Sequence, residues 1–424
     1  MKINGERLLA NLHTLKGFTD TPGNGVTRFS YGVQDEKARE YILNRAAAAG
    51  CSISTDHLQN VRIGLSSNRP GRKTVIAGSH IDTVRNGGWL DGIYGVCGAL
   101  EVMETLAEAA GKDPEACDFA YNYEMVIFAE EEGSGFGSTM TGSKFITGIY
   151  GEDDLDMLVN DEGATLRQVL EALPEDSVYN HTDRIRPENV RWDFDMIKTM
   201  LELHIEQGPV LERKGLSLGI VDAIFGMRVI EVTLKGVGNH AGATPMTERY
   251  DALCTAAECI LAAEKTVKTD EDKRTVVTAG KLEVLPNCSN VIPETVRFTL
   301  EVRDKDEKKI NAFMDRIIDE INDIAQQRNV DCQISEHSKS SPLQLTKRLI
   351  DAMSRQAEAQ NLPYTVMDSG AVHDACMIAK YADTGMIFVP SIDGRSHVPE
   401  EDTDEAHLVM GAQFLLDTIL NELK

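Results

Sequence analysis

The stretch Lys73-Thr-Val-Ile-Ala-Gly-Ser-His-Ile-Asp82 decides the fold class of this chain. Residues 73–77 contain an apolar, β-branched run that predicts a buried strand. A segment with helical periodicity follows at residues 95–109, and a second apolar run follows at residues 124–129. Because such runs alternate with helical segments from about residue 36 to residue 210, the sequence predicts a mostly parallel sheet covered by helices.

The pattern changes between residues 216 and 336. The predicted segments there are, in chain order, a strand at 228–234, a helix at 251–266, strands at 275–283 and 295–302, a helix at 308–327 and a strand at 331–335. This β-α-β-β-α-β order is typical of a ferredoxin-like domain. A helix at 345–359 and a buried strand at 384–390 then return to the earlier pattern. We therefore predict an α/β fold with two domains. A large, mostly parallel-sheet domain (residues 1–215 plus 337–424) is interrupted by an inserted ferredoxin-like α+β domain (residues 216–336).

Charge and cysteine usage narrow the class of protein. The 68 acidic and 43 basic side chains give a formal net charge of -25, which would repel phosphate backbones and anionic lipids. We therefore expect neither nucleic acid nor membrane as a partner. The eight cysteines are scattered and include no C-x-x-C pair, which favours reduced thiols. With no secretory signal pattern at the N-terminus, the sequence predicts a cytoplasmic protein.

An acid or an imidazole follows each of four apolar runs. His80 and Asp82 follow the first run, the triplet at residues 130–132 follows the second, and His204 and His397 follow two later ones. In an open α/β sheet, ligands bind beyond the carboxyl ends of the strands, so these side chains are expected to converge. Imidazole and carboxylate groups without paired cysteines suit Zn²⁺, Mn²⁺ and similar cations.

Each of these residues also has a structural interpretation. A single histidine after a strand is more often a hydrogen-bonded loop residue than a metal ligand. The triplet at residues 130–132 could begin a solvated helix, because acids suit the positive end of a helix. Asp91 precedes Gly92, and an Asp-Gly pair ordinarily forms a turn. The joint occurrence of these residues nevertheless favours a metal site.

A set of short motifs runs in order over nearly the entire chain. These motifs are Gly78-Ser-His80-Ile-Asp82-Thr-Val, Gly87-Gly-x-x-Asp91-Gly, Glu130-Glu-Glu-Gly-Ser, Leu203-His204-Ile-Glu-Gln207-Gly, Asn239-His240-Ala-Gly-x-Thr-Pro-Met246, Asn290-Val-Ile-Pro293, Arg303, Ser369-Gly-Ala-x-His373-Asp-Ala375, and Pro390-Ser391 with Ser396-His397. As a set they resemble the M20-type metallopeptidase clan. Within it they resemble the branch of allantoate amidohydrolases, N-carbamoyl-L-amino acid hydrolases and β-ureidopropionases, the hydantoinase/carbamoylase family.

The resemblance implies a centre of two divalent cations, Mn²⁺ or Zn²⁺, with Co²⁺ and Ni²⁺ also compatible. The implied ligands are His80, Asp91, Glu132, His204 and His397, with Asp91 bridging the two cations. Asp82 would orient His80, and Glu131 would act as the general base. Both roles agree with the chemistry of a cation-activated water.

The resemblance also implies residues that act on the substrate. His240 would reach a neighbouring active site across a homodimer and stabilise the oxyanion, although a turn histidine is the competing interpretation. The implied substrate contacts are Gln207, His240, Asn290, Arg303 and Gly370. Arg303 would clamp a carboxylate with its guanidinium fork, the alternative being an ordinary exposed arginine.

The remaining histidines and two departures from the family pattern complete the site prediction. We expect His373 to be structural or to support a ligand rather than to bind a cation. The histidines outside the motifs, expected at the surface or in the core, are His13, His57, His181, His337 and His407. Gly135 stands where the branch usually has arginine, and Val372 where it usually has glycine. Both lie near the expected substrate pocket and leave the metal ligands unchanged.

The sequence therefore predicts a binuclear metal-dependent amidohydrolase. Its expected substrate is a small carbamoyl or ureido compound that carries a carboxylate, namely an N-carbamoyl-L-amino acid or allantoate. The inserted domain is expected to act as a lid and dimer surface. An M20-type aminoacylase or dipeptidase is the alternative, and a non-catalytic metal-binding relative is a weaker one because the base and all five ligands are present.

Overall fold

The computed structural model describes residues 1–173 and 190–424. The helices are α1 (Gly5–Lys16), α2 (Val33–Ala48), α3 (Ile93–Lys112), α4 (Thr141–Ile146), α5 (Asp154–Met157), α6 (Leu166–Glu171), α7 (Val210–Lys214), α8 (Ala252–Val267), α9 (Glu307–Gln327), α10 (Lys347–Ala359), α11 (Ala375–Ile378) and α12 (Glu405–Glu422). The first strands are β1 (Ser52–Thr55), β2 (Val61–Gly64), β3 (Thr74–His80), β4 (Asn122–Phe128), β5 (Ile197–Ile205), β6 (Leu218–Ile224), β7 (Gly226–Lys235) and β8 (Asn239–His240). The later strands are β9 (Val276–Thr278), β10 (Leu282–Leu285), β11 (Val291–Ile292), β12 (Thr295–Asp304), β13 (Asp331–Ser340), β14 (Leu343–Gln344), β15 (Tyr364–Ser369) and β16 (Asp383–Val389).

The chain divides into two compact units. The larger unit contains Met1–Asp222, Leu345–Met367 and Val372–Lys424, and the smaller unit contains Ala223–Gln344 and Asp368–Ala371. The two boundaries thus lie after residues 222 and 344, whereas the sequence pattern placed them after residues 215 and 336. Two strands explain the difference, because β6 pairs with β16 in the large sheet and β13 continues along β7 as far as Ser340.

The large sheet has a parallel centre with antiparallel margins. Its strand order is β1-β2-β4-β3-β5-β16-β6-β14, and β15 also pairs with β6. The central strands β4, β3, β5 and β16 run parallel to one another, as the alternation of strands and helices predicted. The strands at either side of this centre, β2 and β6, pair with it antiparallel. The predicted α/β class with a mostly parallel sheet is confirmed.

Helix α3 lies directly on this sheet because its sequence supplies small residues at the contact. A Cβ atom on Gly95 would lie 2.4 Å from the carbonyl oxygen of Leu203, and one on Gly98 would lie 2.7 Å from the Leu203 side chain. All residues from Ile93 to Leu106 are buried. The helix is therefore held against the sheet on one face and covered by other elements on the rest. Among the described residues, no helix is long and apolar enough to cross a bilayer.

The smaller unit has the predicted ferredoxin-like order. Its sheet runs β10-β12-β7-β13, with β9 also pairing with β12, and its pairs are antiparallel. Alternate residues of β12 are buried, which is the pattern of a sheet covered on one face. These residues form one core with the apolar stripe of α9 and with α8. A two-residue ribbon formed by β8 and β11 is added outside this sheet.

Candidate metal centre

Four parallel neighbours of the large sheet carry the predicted ligands to one edge. His80 is the last residue of β3, the triplet at residues 130–132 follows β4, and His204 lies next to the end of β5. His397 lies in the loop after β16. Because β4, β3, β5 and β16 are parallel and adjacent, their carboxyl ends coincide, as the sequence predicted.

Asp91 stands between two overlapping groups of potential ligands. Its Oδ1 atom lies 3.6 Å from Nε2 of His80 and 3.1 Å from Nε2 of His204. Its Oδ2 atom lies 3.1 Å from Nε2 of His397, which is 3.4 Å from Oε1 of Glu132. Within each group the candidate ligand atoms lie within 4.8 Å of one another. The two groups therefore share one carboxylate, each through a different oxygen.

Backbone carbonyl groups orient two of the imidazole rings. Nδ1 of His80 lies 3.0 Å from the carbonyl oxygen of Asp82, and Nδ1 of His204 lies 2.9 Å from that of Ile205. A carbonyl oxygen only accepts hydrogen bonds, so each Nδ1 carries the proton. Nε2 of each ring therefore faces Asp91, and it is the nitrogen that a cation would bind in place of a proton.

The Asp82 carboxylate has a more specific position than the sequence indicated. Its oxygens accept the backbone N–H groups of Glu131 (3.2 Å) and Glu132 (3.0 Å). Its Oδ1 atom is 3.6 Å from Nδ1 of His80, beyond the 3.0 Å of the Asp82 carbonyl oxygen. Asp82 thus aligns His80 mainly through its backbone, while its carboxylate fixes the segment that carries the acidic pair.

Gly92 allows the two histidines to approach Asp91. Its φ is +66°, and a Cβ atom at this position would lie 2.5 Å from the His80 ring. Its N–H group points to Nε2 of His204 at 3.2 Å. The Asp-Gly pair is therefore a turn at a site where only glycine fits.

The buried carboxyl groups of the cluster favour the binding of a positive charge. Burial raises the pKa of Glu131 and of Glu132 well above the usual range, and neighbouring carboxylates raise both further. Burial opposes ionisation of Asp91 too, but hydrogen bonds from His204 and His397 hold its pKa well below the usual value. Burial would lower the pKa of His204, yet its contact with Asp91 raises that pKa to about 9.

The donor atoms fit a divalent cation. Within the described part of the chain, Oε1 of Glu131 and Oε1 of Glu132 are buried without a hydrogen-bond partner. Burying a carboxylate oxygen without a partner costs free energy, which a bound cation would offset. Imidazole nitrogen and carboxylate oxygen are the ligands that Zn²⁺ and Mn²⁺ accept. The arrangement can therefore bind divalent metal.

Gln207, predicted to contact substrate, also lies on the metal centre. It has a left-handed backbone with φ of +58°. Its Nε2 donates to Oδ2 of Asp91 at 2.7 Å, and its backbone N–H donates to the hydroxyl of Ser391 at 3.0 Å. The amide oxygen of Gln207 is buried and has no hydrogen-bond partner among the described residues. This oxygen is available to a donor on a bound molecule.

The other predicted substrate residues belong to the smaller unit. His240 is exposed, and its Nδ1 accepts the backbone N–H groups of Gly242 (3.0 Å) and Ala243 (3.2 Å). Nδ1 is therefore unprotonated, and the ring offers Nε2–H as a donor. Asn290 directly precedes β11, and its carbonyl oxygen accepts the N–H of Ala241 at 3.0 Å.

Arg303 and Gly370 are in contact. Nη1 of Arg303 donates to the carbonyl oxygen of Gly370 at 2.9 Å, and Nε donates to Glu301. The half-buried guanidinium keeps further N–H groups for another acceptor. Both residues are part of the smaller unit, since Asp368–Ala371 is assigned to it.

His373 is buried beside a potential ligand, and Gly135 lies against the side chain of Glu130. The His373 ring is buried against His204 with 4.7 Å between ring centroids, and burial holds its pKa well below the usual value. Gly135, one of the two departures from the family pattern, donates its N–H to Oε1 of Glu130 at 2.8 Å, and a Cβ atom there would lie 2.9 Å from the same oxygen. Val372, the other departure, is half-buried. His181 lies outside the described residues.

Three buried acids around the centre were assigned no role from the sequence. Glu202 accepts the Ser79 hydroxyl at 2.7 Å and the N–H of Ala375 at 3.0 Å, and so ties β5 to β3 and to α11. Asp374 accepts the Ser143 hydroxyl at 2.5 Å. Glu401 accepts hydrogen bonds from the loop of Asp91. Glu202 could have been recognised from the sequence, because it lies in the middle of an apolar strand run and a glutamate is rarely fully buried unless it is paired.

Comparison with known proteins gives concordant matches over most or all of the chain. The model of peptidase family M20/M25/M40 matches residues 76–421. An N-carbamoyl-L-amino-acid amidohydrolase of Paenarthrobacter aurescens is 36% identical, with 98% of this chain and 97% of that protein covered. An allantoate amidohydrolase of Escherichia coli K12 is 34% identical, with 95% and 94% covered. A crystal structure of a hydantoinase/carbamoylase family amidase from Burkholderia multivorans matches with a TM-score of 0.86 at 30% identity, over 100% of this chain and 98% of that one.

Proposed function

Because this chain belongs to peptidase family M20/M25/M40, we propose that it is a metal-dependent amidohydrolase of linear amides. It cleaves the carbamoyl or ureido C–N bond of an N-carbamoyl-L-amino acid or of allantoate. The observation that carries the proposal is the position of Asp91, whose two oxygens serve two separate groups of potential ligands. The similarity to amidohydrolases along nearly the full chain supports the reaction class.

We assign two cations to the centre, one beside His80, Asp91 and His204 and the other beside Asp91, Glu132 and His397. Mn²⁺ or Zn²⁺ is the proposed metal, and Co²⁺ or Ni²⁺ would suit the same ligands. Cations held there would supply Lewis acidity to the substrate carbonyl group and to the attacking water.

Glu131 is the proposed general base. Its carboxyl group is buried, and Oε1 is free to take a proton. The raised pKa of Glu131 makes the carboxylate a stronger base than an exposed glutamate. The protonated group then returns the proton to the departing nitrogen. Asp82 supports this role, because it accepts the N–H of Glu131 and so fixes the backbone of the base.

Substrate recognition is assigned to Gln207 and to four residues of the smaller unit. His240 presents Nε2–H, a donor suited to a developing oxyanion, and we propose that it acts on the active site of a partner subunit in a homodimer. Arg303 pairs with the substrate carboxylate through the N–H groups that Gly370 and Glu301 leave free. Asn290 is the further proposed contact. In this proposal the smaller unit acts as a lid and dimer surface.

We place the enzyme in the cytoplasm. The eight cysteines are free thiols, which is the state that a reducing compartment maintains.

An ammonia-release assay tests the function. Purified protein reloaded with Mn²⁺ or Zn²⁺ is offered allantoate, ureidoglycolate, N-carbamoyl-L-amino acids and N-carbamoyl-β-alanine. N-acetyl amino acids and dipeptides are the comparison substrates, and because they release no ammonia, their hydrolysis is followed by the amino groups that it frees. We expect ammonia release from a carbamoyl or ureido substrate, with kcat/KM at least about 100-fold above the comparison substrates, the difference expected when buried recognition groups are left unpaired. No ammonia from any of them, or a preference for acyl or peptide bonds, would overturn the proposal in favour of an aminoacylase or dipeptidase.

A further inference from the structure

Glu401 is a buried acid that joins the loops of Asp91 and His397. The residue is 1% exposed. Its Oε1 accepts the backbone N–H groups of Leu90 (2.9 Å) and Asp91 (3.1 Å). Its Oε2 accepts the Ser396 hydroxyl (2.6 Å) and the backbone N–H of His397 (3.4 Å). A single carboxylate thus holds both loops.

His397 depends on such an anchor more than the other potential ligands do. Its side chain is 50% exposed, whereas His80 and His204 are buried in strands. It lies in the loop between β16 and α12, with a left-handed backbone at φ +60°. A ligand holds its geometry only when the groups around it fix the backbone and ring that carry it.

The sequence makes room for this carboxylate at Gly88. A Cβ atom on Gly88 would lie 1.9 Å from Cδ and Oε1 of Glu401. The φ of Gly88 is not in the left-handed region, so backbone conformation does not demand glycine there. Glycine at this position leaves the space that the end of Glu401 fills, and a larger residue there would have to displace the carboxylate.

We propose that Glu401 is a positioning residue for the second cation of the centre, the one beside Asp91, Glu132 and His397. The inference rests on the binuclear centre of the proposed function. Glu401 acts through the residues that it holds rather than as a ligand. It fixes the backbone of the shared ligand Asp91 and that of the loop ligand His397 relative to each other, and so sets the spacing of the second group.

The first test replaces Glu401 with glutamine. Mn²⁺ bound per chain is measured after reloading and gel filtration, and the affinity of each site is measured by competition with a chelator. We expect the wild type to bind two cations and E401Q to bind the second one about 10- to 100-fold more weakly, as for other residues that orient metal ligands. The matched control is E400Q, whose carboxyl group is the sequence neighbour and is 62% exposed, and which should bind both cations as the wild type does.

A second variant reaches the same interaction from the other side. In G88A the new methyl group would displace the Glu401 carboxylate. The affinity of this variant for the second Mn²⁺ ion should therefore fall as in E401Q. In an E401A background the same G88A change should alter the affinity less than about twofold, because the group that it displaces is gone. The thermal midpoint of each metal-free variant is recorded to separate positioning from unfolding.

The outcomes are distinct. Wild-type second-site affinity in E401Q or G88A overturns the inference and leaves the proposed function intact. A loss of metal-free thermal stability with unchanged affinity overturns it too, because that is the result of a purely structural role. Fewer than two cations in the wild type overturns both the binuclear proposal and this inference.

Discussion

At the scale of the residue, Asp91 organises the proposed chemistry. Each of its oxygens faces a different group of potential ligands. Its backbone N–H and its Oδ2 atom also form hydrogen bonds with other residues of the larger unit. Burial and mutual repulsion make the surrounding acids costly unless cations balance them. The sequence motifs predicted which residues would converge. They did not predict which atom of Asp82 faces His80, because that depends on side-chain orientation.

The first residue-scale prediction concerns the base. Glu131→Gln keeps the size of the side chain but removes the proton acceptor, so we expect kcat to fall by about 10²- to 10⁴-fold. Metal content should stay at the wild-type level, since Glu132 and not Glu131 belongs to the ligand groups. Steady-state kinetics together with metal analysis check this. Activity within about tenfold of the wild type would rule out Glu131 as the base.

The second residue-scale prediction concerns His240. Because its Nε2–H is free to donate, His240→Ala should lower kcat by about 10²- to 10³-fold, the loss typical of an oxyanion donor, with metal content unchanged. The control is His337→Ala, another exposed histidine of the smaller unit, which should behave as the wild type. A change confined to KM would show that His240 only binds substrate.

At the scale of the element, the central strands and long helices followed from apolar patterns, and the margins did not. The run at residues 73–77 became β3 (Thr74–His80), and the helix predicted at 308–327 became α9 (Glu307–Gln327). The short strands β1 and β2 were not predicted. β1 is largely exposed, so its sequence lacks the apolar run that marks a buried strand. The domain boundaries shifted for a related reason, because strand pairing decides to which unit β6 and the end of β13 belong.

The element-scale prediction concerns the end of α12. Glu422 accepts hydrogen bonds from Arg348 (2.7 and 2.9 Å) and from the hydroxyl of Thr199 (2.9 Å), and so ties α12 to α10 and β5. Burial opposes ionisation of Glu422, but these bonds hold its pKa below the usual value of 4.5. A lowered folded-state pKa stabilises the protein above the unfolded-state value, and this stabilisation is lost as the pH falls through the folded-state pKa.

Glu422→Gln should therefore lower the free energy of unfolding near pH 7 by about 1–2 kcal/mol, a modest value because the Arg348 side chain is 48% exposed. The difference from the wild type should shrink as the pH falls below 4.5. Urea unfolding at several pH values measures it, with the exposed Glu405 at the start of the same helix as the control position. A difference independent of pH would contradict the ion-pair explanation.

At the scale of the whole molecule, the acidic composition indicates a negatively charged surface, but it does not identify the substrate. The net charge of -25 means that acidic groups outnumber basic ones, but a single basic side chain such as Arg303 can still have a specific local contact. The substrate specificity also lies beyond composition. In the proposed function it depends on residues of the smaller unit and on positions such as Gly135 and Val372, where the chain departs from the family pattern.

The whole-molecule prediction is that metal removal destabilises the protein. Cations that bind only the folded state at about 100 times their dissociation constant add about 2.7 kcal/mol per site. Chelation with EDTA should therefore lower the thermal midpoint by roughly 5–10 °C, as measured by calorimetry. Asp91→Asn, which weakens both ligand groups, should show little further change with EDTA. An equal shift in that variant would mean that the stabilising metal binds elsewhere.

The position of the metal tests the central claim most directly. Crystals of the Mn²⁺-reloaded protein, measured near the manganese absorption edge, give an anomalous difference map of the bound ions. We expect two peaks on either side of Asp91, one in contact with His80 and His204 and the other with Glu132 and His397. A map with no peak at Asp91, or with His204 or His397 turned away from the ions, would contradict a binuclear hydrolytic centre.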